Sequence, residues 1–320
     1  MASDFWTAKH VVVTGGAGFL GRVIVTKLHE RGVRAITVPR SATCDLRRED
    51  HLQTMFDSVL ATADAADVVV IHAAAHGGGI GANVRQPATF FYDNLLMGTR
   101  LLHEACSRGV GKFVSIGTVC AYPKYAPIPF REDDLWNGYP EETNAAYGLA
   151  KKMLLVQGQA YRAQFGFNAI YLLPTNLYGP GDNFDLETSH VVPAIIRKCM
   201  EARRDQRSVV VVWGTGHATR DYLFVDDAAD GILLAAEHYD GAEPVNLSGN
   251  AGEISMRELV ALIGRLTDYA GEIVWDTTKP DGQPRRTVDG RRARELFDFR
   301  PQVDFGDGLR RTIDWFDQHN

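Results

Sequence analysis

His10-Val11-Val12-Val13-Thr14-Gly15-Gly16-Ala17-Gly18-Phe19-Leu20-Gly21 is an apolar, β-branched run that breaks at once into a glycine-rich turn. Beyond the turn, Leu20, Ile24 and Leu28 recur at i, i+4 and i+8 before Gly32, the pattern of a helix and its stop. A strand that feeds a tight glycine turn and a helix N-terminus presents backbone amides and positive potential to an anion, here a pyrophosphate. The spacing Gly15, Gly18, Gly21 is G-x-x-G-x-x-G. A bare strand–helix turn would also use glycine. The strand before and the helix after favour a dinucleotide site.

Further along, buried-type strands are predicted at 35–38, 67–75, 112–116 and 169–173, with helices between them, including 88–107 and 144–165. Strand alternating with helix at this spacing predicts an α/β fold, a Rossmann-type doubly wound parallel sheet covered on both faces. From Pro174 the texture changes to Asn-, Gly- and Pro-rich loops with shorter elements: strands at 209–212, 244–247 and 272–275, helices at 255–266 and 308–318. The expected division is a dinucleotide-binding domain over 1–173 and a smaller C-terminal α/β substrate-binding lobe over 174–320, with segments near 217–250 returning to the first.

The 320 residues are 45% hydrophobic and 23% charged, an ordinary globular composition. A net charge of -6 gives no reason to expect nucleic acid or an anionic membrane as partner. No stretch approaches the roughly 18 apolar residues of a membrane span. Cys44, Cys106, Cys120 and Cys199 form no C-x-x-C pair, which argues against a metal site or a disulfide framework and for a reducing cytosol. Met1-Ala2-Ser3-Asp4 carries no basic leader, so a cytoplasmic protein is expected.

The second strand ends in Val38-Pro39-Arg40-Ser41, without the acidic residue that would accept from an adenosine ribose. Arg40 could pair a 2′-phosphate, which favours NADP(H) and keeps NAD(H) open; Asp45-Leu46 would suit the adenine edge. Tyr147-x-x-x-Lys151 places a phenol and an ammonium on one helix face, where the ammonium is expected to favour the phenolate. Asn144 is a candidate cap for that helix. Thr118, at a strand end, stands where a hydroxyl would orient a substrate oxygen. Cys120 lies just beyond, in Gly117-Thr118-Val119-Cys120-Ala121-Tyr122-Pro123, where the strand opens into the expected cleft. A thiol beside a tyrosine acid suggests a second reaction, whereas Cys44, Cys106 and Cys199 read as inert core thiols. His190 is a second candidate acid.

These residues carry a resemblance to the GDP-L-fucose synthase family of extended short-chain dehydrogenases. It rests on Gly78-Gly79-Ile80 with Asn83 and Pro87, on Cys120-Ala-Tyr-Pro-Lys124, and on Pro174-Thr-Asn-Leu-Tyr-Gly-Pro-Gly-Asp-Asn-Phe184. Ser189-His190-Val191, Trp213-Gly-Thr-Gly216 and Lys279-Pro-Asp-Gly-Gln-Pro-Arg285 complete it. The resemblance implies that Cys120 and His190 shuttle protons at C3 and C5 of a 4-keto sugar. It implies that Tyr147 and Lys151, with Thr118 nearby, serve reduction at C4. It adds Phe19, Leu20, Ala74, Pro174, Asn176, Leu177 and His190 to Gly15, Gly18 and Gly21 around the cofactor. Around a GDP-sugar it implies Asn176, Val191, Lys198, Trp213, Arg220 and Lys279, and it implies a homodimer through helices near 88–107 and 144–165. An NAD-retaining GDP-sugar epimerase and a reductase of a related 4-keto deoxy or heptose sugar remain open alternatives.

Overall fold

The computed structural model describes residues 5–320; Met1-Ala2-Ser3-Asp4, on which the leader expectation rests, lie outside the described residues. β1 (His10–Thr14) runs through the glycine turn into α1 (Phe19–Glu30), followed by β2 (Ala35–Thr37), α2 (Glu49–Leu60) and β3 (Val68–His72). Then come the short α3 (Ile80–Arg85), α4 (Pro87–Ser107), β4 (Lys112–Ile116), α5 (Ala145–Phe165) and β5 (Ala169–Pro174). The second half adds β6 (Asn176–Tyr178), α6 (Val191–Arg204), β7 (Val209–Trp213), β8 (Thr219–Arg220), β9 (Tyr222–Phe224), α7 (Val225–His238) and β10 (Val245–Leu247). The chain closes with β11 (Ile254–Ser255), α8 (Met256–Leu266), β12 (Glu272–Asp276), β13 (Arg285–Arg286), α9 (Arg291–Phe297) and α10 (Phe305–His319).

Six strands form one parallel sheet in the order β10-β5-β4-β3-β1-β2. Every residue of β1, β3, β4 and β5 is buried, which is why these strands read as unbroken apolar runs. On one face, Ile24 and Leu28 of α1 pack with Ile232 and Leu233 of α7; on the other, Leu52 and Phe56 of α2 meet Leu101 and Leu102 of α4. The chain leaves β1 toward β2 on one side and returns to β3 on the other. The resulting crevice at the carboxyl ends of the strands is where such sheets bind ligands.

A second core lies among α6, α8 and α10, where Ile195, Ile196, Leu259, Ile263, Leu309 and Phe316 gather around Tyr178, Tyr222 and Phe224. The region after Pro174 holds more helix than expected: α6 and α7 each run 14 residues. The apolar set Val192, Ile195, Ile196, Cys199 and Met200 has helical spacing and is buried along one side of α6. α7 and β10 belong to the large sheet, since β10 pairs Val245–Leu247 with Leu172–Pro174. Among the described residues no helix is long and apolar enough to cross a membrane.

Candidate active site

A cleft of about 790 Å³ opens at the carboxyl ends of the central strands, between the two cores. At its floor the glycine turn is held by close approach. A methyl on Gly21 would lie 2.1 Å from the Gly15 carbonyl oxygen, and Gly15 itself has a φ of 71°. Gly18 caps α1 with no side-chain acceptor, which leaves first-turn amides available to an anion in the cleft. Phe19, Leu20, Ala74, Pro174, Asn176 and Leu177 line the same floor. The Asn176 amide donates to the Asp221 carbonyl at 2.8 Å.

Arg40, Asp45 and Leu46 stand off the cleft wall. Arg40 is exposed, and its guanidinium has no ion-pair partner among the described residues. The Asp45 carboxylate holds Arg47 through bonds of 2.9 and 2.8 Å, and those bonds keep its pKa down at about 2. Leu46 is a core residue beside Leu52 and Phe56.

Tyr147 and Lys151 project from α5 into the cleft, one turn apart. Asn144 occupies the cap position but does not cap; its amide donates to Glu141 and to Thr143, both at 3.0 Å. Gly148 brings α5 against the neighbouring segment, since a methyl there would sit 2.4 Å from the Cys120 carbonyl oxygen. On that segment the Thr118 hydroxyl accepts from the Cys120 amide at 3.2 Å and caps the short turn Val119–Ala121. Thr118, Cys120, Tyr147 and Lys151 therefore share one wall.

Burial overturns the expected direction of the Tyr–Lys pairing. Desolvation lowers the Lys151 ammonium to about 8, and its Nζ has no hydrogen-bond or ion-pair partner among the described residues. The Tyr147 pKa is raised, first by burial and then by Cys120 nearby. Loss of water therefore holds the phenol in its protonated form. An unpartnered buried ammonium and open amides at the α1 N-terminus are what a ribose and a pyrophosphate require, so these residues fit a dinucleotide.

The opposite wall comes from the second half. His190 precedes the first turn of α6 and opens into the cleft. Its segment is tied to the loop after β3 by the Gly79 amide, which donates to the Thr188 carbonyl at 2.9 Å. His190 keeps an exposed surface toward the open cleft, yet the protein packed around its ring, then the Arg286 guanidinium, lower its pKa and favour neutral imidazole. Val191, Lys198, Trp213 and Arg220 also line the cleft. The Lys198 ammonium donates to the Val211 carbonyl at 2.9 Å. Arg220 is buried, donates to the carbonyls of Thr219 and Gln283 at 2.7 Å, and is lowered to about 10 by burial and by Arg286. Lys279 is exposed and off the wall, its ammonium 5.3 Å above the Trp213 ring.

Arg286 is the residue that sequence reasoning missed. It is buried, and its Nη1 donates to the Cys120 sulfur at 3.5 Å. Its neighbour Arg285 turns outward to pair with Glu253. Asp182 was also passed over: it lines the cleft, buried, with Oδ2 lacking a hydrogen-bond partner.

Fold and site together define a dinucleotide-dependent α/β enzyme of the short-chain dehydrogenase kind, with a thiol and an imidazole added to its Tyr–Lys unit. The sequence profile of the NAD dependent epimerase/dehydratase family matches residues 11–248. The chain is 41% identical over 306 residues to GDP-L-fucose synthase 1 of Arabidopsis thaliana, spanning 96% of this chain and 92% of that one. It is 39% identical over 308 residues to the GDP-L-fucose synthase of Sinorhizobium fredii, spanning 96% and 95%. The crystal structure of a GDP-L-fucose synthetase from Naegleria fowleri bound to NADP matches the fold with a TM-score of 0.86 at 28% identity, over 97% of this chain and 94% of that one. The chain belongs to the NAD dependent epimerase/dehydratase family and, within it, to the GDP-L-fucose synthases.

Proposed function

We propose that this enzyme converts a GDP-4-keto-6-deoxy-mannose-type substrate to GDP-L-fucose by 3,5-epimerisation followed by 4-reduction, with NADP(H) as cofactor. The observation that carries the reading is the meeting of Cys120 with Tyr147 and Lys151 on one wall of a cleft that His190 also lines. The named relatives and the NADP-bound neighbour support it. Bound NADPH supplies hydride at C4.

The chain's own residues do the rest. C–H bonds at C3 and C5 flank the C4 ketone, so a base can remove either proton while the electron pair moves into the carbonyl oxygen. Cys120 and His190 line the same cleft, and in this reading one takes a proton and the other returns one on the other face of the sugar. Neutral Tyr147 donates its proton to the C4 oxygen when that carbon is reduced. Lys151 holds the nicotinamide ribose and carries positive charge beneath the phenol. Arg220 offers a buried cation to the diphosphate, Trp213 and Lys279 border the nucleotide end, and Arg40 meets the 2′-phosphate. We assign the protein to the cytoplasm, where four free thiols persist. We further infer a homodimer through α4 and α5, which leave Tyr92 and Val156 exposed.

The test is incubation with GDP-4-keto-6-deoxy-mannose and NADPH in deuterated water. Expected are stoichiometric loss of NADPH absorbance and deuterium at C3 and C5 of a GDP-L-fucose product. Cys120→Ser abolishes the deuterium incorporation while NADPH still binds. Turnover without net NADPH oxidation would instead identify an NAD-retaining epimerase, and normal incorporation in Cys120→Ser would remove the thiol from the mechanism.

A further inference from the structure

We propose that Arg286 is a positioning residue for the epimerisation chemistry, holding the Cys120 sulfur by a charge-assisted N–H···S bond and stabilising it whenever it has given up its proton. The proposal deepens the function above and rests on it.

Whichever way protons flow at C3 and C5, the cysteine spends part of the cycle as a thiolate. As base it begins ionised and ends as S–H once it has taken the carbon's proton. As acid it begins as S–H and ends ionised once the carbon has taken its proton. In both directions a negative sulfur stands in a cleft that a bound sugar nucleotide closes to water. Such an ion needs a cation or donor within hydrogen-bond reach.

Among the described residues, Arg286 supplies the one side-chain donor to that sulfur, at 3.5 Å. The guanidinium is buried and locked, since its Nε donates to Gln283 Oε1 at 3.1 Å. Gln283 is itself buried, and its amide donates to the Pro123 and Lys124 carbonyls, each at 3.1 Å. Those carbonyls lie just beyond Cys120 on the same loop. The arginine is thus fixed to the backbone that carries the thiol, through a residue from the far end of the chain.

The same guanidinium also lies near His190 and acts against its protonation.

The test compares Arg286→Gln and Arg286→Lys with wild type in the full chain. First, the rate at which iodoacetamide alkylates Cys120 is followed near neutral pH by mass spectrometry of the Cys120 peptide, without substrate. Arg286→Gln is expected to slow this about tenfold, and Arg286→Lys to stay within about threefold of wild type. Second, deuterium incorporation at C3 and C5 falls about 10–100-fold in Arg286→Gln and recovers in Arg286→Lys, while NADPH affinity is unchanged in both. Wild-type alkylation of Arg286→Gln overturns the proposal, as does a lysine variant that binds NADPH yet is as slow as the glutamine variant. If Arg286→Gln does not fold, the lysine variant decides by the same threefold bound. Absence of exchange in wild type would sink the epimerase reading, and the alkylation comparison would still judge Arg286.

Discussion

Tyr147 and Lys151 reach the cleft from a single helix, one turn apart, whereas His190, Arg220 and Arg286 reach it from the start of α6, from β8 and from β13. The first wall is set by local geometry: once α5 forms, four-residue spacing aims both side chains the same way. The second is assembled from segments far apart in sequence, joined by contacts such as Gly79 to Thr188 and Gln283 to the Cys120 loop. Cys120 stands between them, against α5 through Gly148 and against β13 through Arg286. On the proposed roles, reduction depends mainly on the wall that forms locally and epimerisation needs both.

The largest effect is expected from Tyr147→Phe. Removing the donor to the C4 oxygen should slow hydride transfer about 10³-fold while leaving deuterium exchange at C3 and C5 within a few fold of wild type. Stopped-flow NADPH absorbance and proton NMR of recovered sugar read the two separately, and a parallel collapse of both would erase the distinction between the walls.

Gly148→Ala probes the join. The added methyl meets a backbone carbonyl at 2.4 Å, so α5 or the Cys120 segment must shift. The expected cost is about 1–3 kcal/mol in thermal or denaturant unfolding, with both exchange and reduction lowered. Loss of reduction alone would show that Cys120 does not depend on its packing against α5.

The smallest effect concerns the seam between the two cores. Asp182 is buried beside Arg22 of α1, and desolvation lifts its pKa to about 7. The folded state therefore holds this proton more tightly than the unfolded chain, whose aspartate titrates near ~3.9. Stability is fullest below the unfolded value and declines as pH rises toward about 7. Asp182→Asn removes the ionisation, so melting should rise by about 2–4 °C at about pH 8 and the gain should shrink toward about pH 5. Calorimetry across that range checks the sign, and a variant less stable than wild type at the alkaline end would refute it.

Much of the first wall was legible because its signals are short-range. The β1 run, the glycine turn and the Leu20, Ile24, Leu28 stripe predict strand, phosphate turn and helix without distant contacts. The second half was harder. α6 and α7 lie where loop-forming residues are frequent, and α7 opens on Asp226 and Asp227 and carries Gly231 in its middle. Arg286 could not be told from Arg285, because in a two-residue strand either could face inward. The direction of the Tyr147 shift is hidden for a related reason: the four-residue spacing shows the nearby ammonium but not the burial that raises the phenol's pKa.

The sequence by itself determined the dinucleotide turn, the parallel α/β order and the Tyr–Lys pair, since each depends on periodicity and turn chemistry within one or two elements. Only the tertiary structure decided which arginine meets Cys120, that His190 lines the same cleft, and that burial keeps the Tyr147 phenol protonated. Those outcomes turn on desolvation and on contacts between segments as distant as Cys120 and Arg286.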